Sequence, residues 1–94
     1  MNNILVTTSD LKEEYEIVDA IFALDSCTAG FLHGADPNKA FDKVKDALRE
    51  KAKELGAHAV ICCQFEYRVA VDSGIMSSKQ VIEIFAYGTA VRLH

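Results

Sequence analysis

The chain has 94 residues, half of them apolar, and a formal net charge of −4. This length predicts a single domain over residues 1–94. The ten basic residues are scattered among acidic ones, so we expect no nucleic-acid partner. No apolar run reaches the ~20 residues of a membrane span, and no signal peptide precedes the first strand, so we expect a cytoplasmic protein with no membrane partner.

The first two predicted elements are strands. Residues 4–8 are rich in β-branched side chains, and Ser9-Asp10 ends the run with turn-forming residues. Residues 15–27 are apolar at both odd and even positions, which indicates a strand that is buried on both faces for part of its length. Burial of that kind fits a sheet with a helix on one face and another subunit on the other.

A single amphipathic helix is predicted over residues 37–55. Asp36 and Pro37 form a typical helix start, and Gly56 is suited to cap its C-terminus. Apolar residues recur at intervals of three or four and form one stripe: Phe41, Val44, Leu48, Ala52 and Leu55. The segment before this helix, residues 28–36, is predicted to be a loop.

Two long strands follow the helix. Residues 57–71 and 79–93 alternate in character and are separated by the turn residues Asp72, Ser73 and Gly74, so they predict an antiparallel hairpin. Gly88 interrupts the last strand and indicates a bulge or a close backbone approach. The chain is therefore predicted to be an α+β domain of order β-β-α-β-β. One face of its antiparallel sheet stays apolar and uncovered, which indicates a partner.

Several short motifs resemble those of the YbjQ-like family. They are the segment Leu-Gly-Ala-His-Ala-Val at residues 55–60, Phe-Glu-Tyr at 65–67, Val-Thr-Thr at 6–8 and Tyr-Gly-Thr-Ala-Val at 87–91. The resemblance implies a dodecin-like subunit that assembles into rings of five, from an uncharacterised family labelled as heavy-metal-binding. This chain has a shorter segment before the helix. It also has Ile61-Cys62-Cys63 where the family has Val-Gly-Val.

The cysteines are candidate ligands for a soft metal ion such as zinc or copper. Cys62 and Cys63 are adjacent, so a disulfide between them is not expected, and their side chains should point to opposite faces of the strand. Cys27 and His33 are the other candidate metal ligands. The alternative interpretation is that the thiols pack as small apolar side chains in the core. Reduced thiols fit a cytosolic protein.

No catalytic motif is present, so three functional hypotheses stay open. The first is a non-enzymatic, homo-oligomeric ring, pentameric by resemblance, that binds a small ligand between subunits. The second is a heavy-metal-binding protein that uses cysteine and histidine ligands. The third is an enzyme whose site forms only between subunits. His58, which stands where the family has Asn, is expected to make a structural hydrogen bond.

Overall fold

The structure, a computed structural model, describes residues 4–28, 37–73 and 78–94. It contains one helix and four strands in the predicted order: β1 (Leu5–Val6), β2 (Tyr15–Thr28), α1 (Pro37–Glu54), β3 (Ala59–Ser73) and β4 (Ser78–Leu93). The α+β prediction is therefore confirmed. The candidate cap Asp36 and the loop residues Gly30, His33 and Gly34 lie outside the described residues.

The strands form one sheet in the order β1-β3-β4-β2. The β3–β4 hairpin is antiparallel, as predicted, and β2 also pairs antiparallel with β4. β1 differs from the prediction because it runs parallel to β3, so the sheet is mixed. β1 and β2 lie at opposite edges of the sheet, so the segment that joins them must pass across β3 and β4. Residues 7–14 make that crossing at one end of the sheet, where Leu11 packs against the buried side chains of Ala59, Ile61 and Val91.

Helix α1 packs against one face of the sheet through the predicted stripe. Val44, Leu48 and Ala52 are fully or almost fully buried, and they contact a layer that includes Ile21, Val60, Ile84 and Ala86. The helix ends one residue earlier than predicted, and Leu55 is partly exposed. Gly56 has a positive φ of 73°, and Ala57 N donates to Ala52 O while Gly56 N donates to Lys53 O. These two bonds form a Schellman cap.

The face of the sheet opposite the helix, called here the open face, carries exposed apolar side chains on β2 and β4. In residues 15–25 of β2, the buried positions lie only on the helix side of a single chain, which differs from the predicted burial on both sides. Five side chains of β2 and β4 form what we call the open-face patch: Ile17, Phe22, Leu24, Phe85 and Tyr87. They are between 37% and 68% exposed. No helix in the described ranges has the length and apolar character needed to cross a membrane.

Candidate functional site

A β-bulge places the two adjacent cysteines on different sides of β3. The pairing with β4 passes from Ile61↔Thr89 to Gln64↔Tyr87, so Cys62 and Cys63 together lie opposite Gly88. The amide of Cys62 donates to Ser9 O and that of Cys63 donates to Thr7 O, at 3.1 and 3.0 Å. The bulge is thus held by the chain that continues from β1. This confirms the prediction of a bulge or close approach at Gly88.

Cys62 occupies a backbone conformation that usually belongs to glycine. Its φ is 54°, in the left-handed region, where a side chain costs about 1–2 kcal/mol relative to glycine. It is the second residue of the Ile-Cys-Cys segment, the position at which the YbjQ-like motif carries Gly. The sequence already held this signal, since the glycine of a motif often marks a positive φ. The thiol of Cys62 is exposed and free.

Cys63 is a core residue. Its side chain is fully buried among the residues under the helix, and its Sγ lies 3.8 Å from Val60 O. A Cβ added at Gly88 would lie only 2.7 Å from this Sγ, so Gly88 leaves the space that the thiol fills. Burial raises the pKa of the Cys63 thiol above its usual 9.0. A buried thiol that keeps its proton is a poor metal ligand, because metals bind the thiolate.

Cys62 lies near a hydrogen-bonded Tyr–Asp pair at the covered end of the open face. The Tyr15 hydroxyl donates to Asp10 Oδ1 at 2.7 Å. This bond lowers the pKa of Asp10, and the Leu11 amide lowers it further. The same bond raises the pKa of Tyr15, with smaller contributions from desolvation and from the negative charges of Asp10 and Cys62. The exposed thiol thus has the phenolic side chain of Tyr15 as a neighbour.

One subunit does not bring all the predicted metal ligands together. Cys27 pairs with Ile82, whereas the cysteine pair lies opposite Gly88, six residues or about 20 Å further along β4. β4 also separates β2 from β3. His33 lies outside the described residues. Within the described ranges, no group of three His, Cys, Asp or Glu side chains is placed to hold a metal ion. A site that joins Cys27 to the pair would need a second subunit.

His58 makes the structural hydrogen bond that was expected. Its Nδ1 accepts from the amide of Leu93 at 2.9 Å, while its own amide donates to Val91 O. Arg92, which sequence reasoning had not selected, joins the helix cap to the sheet. It donates through Nε to Gly56 O at 3.3 Å and through Nη1 to Glu16 at 2.9 Å. The hydrogen bonds of His58 and Arg92 therefore hold the C-terminal end of β4 in place.

The open-face patch is continuous across β2 and β4. Phe22 pairs with Tyr87 and Leu24 pairs with Phe85, and the rings of Phe85 and Tyr87 are stacked with centroids 6.5 Å apart. On β3 the same face becomes polar, with the row Gln64, Glu66 and Arg68, the last bound to Glu83 at 2.8 Å. The apolar surface is thus concentrated towards the β2 edge.

A groove lies beside that edge, between β2 and the last turn of the helix. We call it the β2 groove. Its volume is ≈ 290 Å³, and it is lined by Ala20, Ile21, Phe22, Lys51, Glu54 and Leu55. Lys51 Nζ lies 5.0 Å from the centroid of the Phe22 ring, within cation–π range. The groove offers an apolar floor with one basic and one acidic group at its rim.

The fold and the site define an α+β domain with one helix on a four-stranded mixed sheet, a bulge held by the N-terminal segment, and an uncovered apolar face. The model of the YbjQ_1 family, described as "Putative heavy-metal-binding", matches residues 33–94. The chain belongs to this family. A search of the curated proteins found no match.

A solved structure supports the same fold. It is the crystal structure of a protein of unknown function from Pediococcus pentosaceus ATCC 25745, which belongs to the DUF74 family. The alignment has a TM-score of 0.72 and 21% sequence identity, and it covers 97% of this chain and 98% of the other. At this identity the similarity shows the fold alone.

Proposed function

We propose that this chain is a non-catalytic domain that assembles into a homo-oligomeric ring. In this proposal the open-face patch is buried against another copy. The supporting observation is that five large apolar side chains on one face are 37–68% exposed. At about 200 Å² per side chain they present roughly 550 Å² of apolar surface, near the largest patches of typical monomers.

The size of the patch supports a partner as large as a protein. A stable interface buries ~800 Å² on each side, and the patch alone would supply roughly 550 Å² of that area. Five copies is the number that the resemblance to the YbjQ-like family suggests. A small, flat ligand held between subunits would contact the stacked rings of Phe85 and Tyr87.

Native mass spectrometry of the tag-free protein tests this proposal. We expect the wild type to be an oligomer, and the double variant Phe85→Asp with Tyr87→Asp to be a folded monomer, because a carboxylate in a buried interface loses its hydration. Leu5→Asp is the matched control, since Leu5 is also half exposed but lies on β1, at the other edge of the sheet. It should assemble normally. A wild-type monomer at micromolar concentration would refute the proposal.

A second candidate function is heavy-metal binding by thiolates. The description of the family and the exposed, free Cys62 support it. Because one subunit leaves Cys62 without two further ligands in the described ranges, we propose that zinc or copper(I) is held between subunits. Cys27 or His33 of a neighbour would complete the site. Free thiols of this kind also support a reducing, cytosolic location.

The metal proposal is tested on protein purified under reducing conditions without a metal-affinity step. Zinc or copper(I) is added, and bound mass is read by native mass spectrometry. We expect the added mass to be lost in Cys62→Ser and in Cys27→Ser, and to be kept in Cys63→Ala. Metal retention by all three variants, or no added mass in the wild type, would contradict cysteine ligation.

A further inference from the structure

The β3–β4 hairpin extends well beyond the helix that covers its base. Helix α1 has 18 residues and is about 27 Å long, whereas β3 has 15 residues and is about 50 Å long. The molecule measures 54 × 21 × 21 Å, and its radius of gyration is 15.7 Å, against about 12 Å for a compact domain of this length. The hairpin strand β3 is therefore nearly twice as long as the helix that packs on it.

This projecting half carries apolar side chains on the helix side of the sheet. Phe65 of β3 contacts the helix through an edge-to-face contact with Phe41, with ring centroids 6.0 Å apart. Tyr67 and Val69 follow on the same face by strand alternation and are 67% and 56% exposed. On the opposite face, Arg68 is bound to Glu83. Tyr67 and Val69 thus form an exposed apolar pair on this strand.

The edge strand β2 offers unpaired backbone groups. It pairs only with β4 among the described elements, and its outer edge runs for 14 residues. The amide of Ala20 is turned away from β4 and donates to Asp19 Oδ1 at 2.8 Å. By alternation the amides of Phe22 and Leu24 also face outward. β2 contains no Lys, Arg or Pro, the residues with which exposed edges are commonly protected.

The β2 groove runs beside this free edge, on the side of the helix C-terminus. A strand added to the edge would direct alternate side chains towards the groove and towards the open-face patch. The apolar lining from Phe22 and Leu55 suits an aromatic ring, and Glu54 and Lys51 provide hydrogen-bond partners for a hydroxyl. At ≈ 290 Å³ the groove has the size of the smallest ligand pockets, which start near 300 Å³.

We infer that the projecting hairpin of a second copy docks along the free edge of β2 and inserts Tyr67 and Val69 into the β2 groove. This inference rests on the proposed oligomer and adds a second contact between copies to the burial of the open-face patch. The projection and the groove are different surfaces of the same chain, so the contact is head-to-tail. Repeated head-to-tail contacts close into a ring if the rotation permits. The contact would also cover the apolar hairpin surface that the subunit leaves exposed.

Two variants and their mixture test the inference. Tyr67→Ser with Val69→Ser removes the projection, and Leu55→Lys blocks the groove; all three positions are partly or largely exposed, so folding should persist. We expect each variant to weaken assembly about 100-fold, the effect of a strong interface residue. An equimolar mixture should form a 1:1 heterodimer, because each partner keeps the surface that the other has lost. Glu50→Lys, on the exposed helix surface, is the control and should assemble as the wild type does.

Native mass spectrometry with one variant labelled with ¹⁵N resolves the outcomes. If either variant assembles as the wild type does, the inference is wrong, but the proposed oligomer is unaffected. Two monomeric variants that form no heterodimer on mixing would overturn the head-to-tail contact. A monomeric wild type would refute the oligomer itself, and the inference with it. Circular dichroism of each variant confirms that loss of assembly is not loss of fold.

Discussion

The two faces of the sheet use opposite side-chain sizes at neighbouring positions. On the helix side, Ala23 pairs with Ala86, and Gly88 is the next residue of β4 on the same face. On the open side, Phe22 pairs with Tyr87. Small residues let the helix backbone approach the sheet closely, so one helix can bury this face. The large residues remain exposed because nothing of comparable size packs on them within the described part of the chain. The helix side of the sheet thus stabilises the subunit, whereas the open side is available for contacts with a partner.

Truncating one side chain on each face tests whether the two faces contribute differently to the stability of the subunit. Leu48→Ala should lower the free energy of unfolding by about 3 kcal/mol, because Leu48 is fully buried between helix and sheet. Phe22→Ala should cost less than about 1 kcal/mol in a monomer, since its ring is 68% exposed. Urea unfolding followed by circular dichroism measures both, in the monomeric Phe85→Asp, Tyr87→Asp background. Equal losses would contradict the division of roles between the faces.

The tight packing on the helix side of the sheet can be tested at Gly88. A Cβ there would lie 2.7 Å from Cys63 Sγ and 2.9 Å from Val60 Cγ1, so Gly88→Ala should destabilise the subunit by about 2 kcal/mol. Adding Cys63→Ala should recover part of this loss because the nearest clash is removed. A double-mutant cycle measures the coupling between the two positions. Strictly additive effects would mean that the thiol does not fill the space beside Gly88.

Local patterns predicted most of the fold. The stripe from Phe41 to Ala52 and the cap at Gly56 located the helix to within one residue at its C-terminus, because both signals depend on neighbouring residues alone. The alternation in the last two strands likewise gave the hairpin. β1 was harder, since a two-residue strand carries no signal for its direction. Its parallel pairing depends on the crossing by residues 7–14, which is a long-range property.

The candidate site was less predictable for the same reason. Alternation correctly placed Cys62 and Cys63 on different sides of β3, but the bulge decided which thiol is buried. The separation of Cys27 from the pair depends on the strand order β1-β3-β4-β2, which no local motif specifies. The apolar pattern of β2 in the sequence is the same whether or not a second subunit covers the strand. The sequence therefore indicated a partner without showing where it binds.

The bulge allows a gain in stability at Cys62. Because its φ of 54° suits glycine, Cys62→Gly should raise the free energy of unfolding by about 1 kcal/mol, after the greater entropy of an unfolded glycine is counted. Cys62→Ala is the control, since it removes the thiol but keeps the Cβ and the unfavourable conformation. Chemical denaturation at neutral pH compares the two. Equal stability of the Gly and Ala variants would show that the left-handed conformation carries no cost here.

The smallest predicted effect distinguishes the two thiols by pH. Burial holds the pKa of Cys63 above its usual 9.0, so the unfolded chain ionises first as the pH rises. Below pH 9 both states keep the proton and the thiol adds no pH dependence. Above it the unfolded state binds fewer protons, so the free energy of unfolding of the wild type should fall relative to Cys63→Ala. Urea unfolding between pH 7 and about pH 10.5 measures this difference.

Cys62→Ala serves as the reference for that titration, because Cys62 is exposed in the folded protein whereas Cys63 is buried. Its stability curve should run parallel to the wild type across the alkaline range, apart from a constant offset. If Cys63→Ala also runs parallel to the wild type, the folded protein must let Cys63 ionise as freely as the unfolded chain does. Helix and sheet would then separate readily enough to hydrate the thiol, and the helix face would be no more tightly closed than the open one.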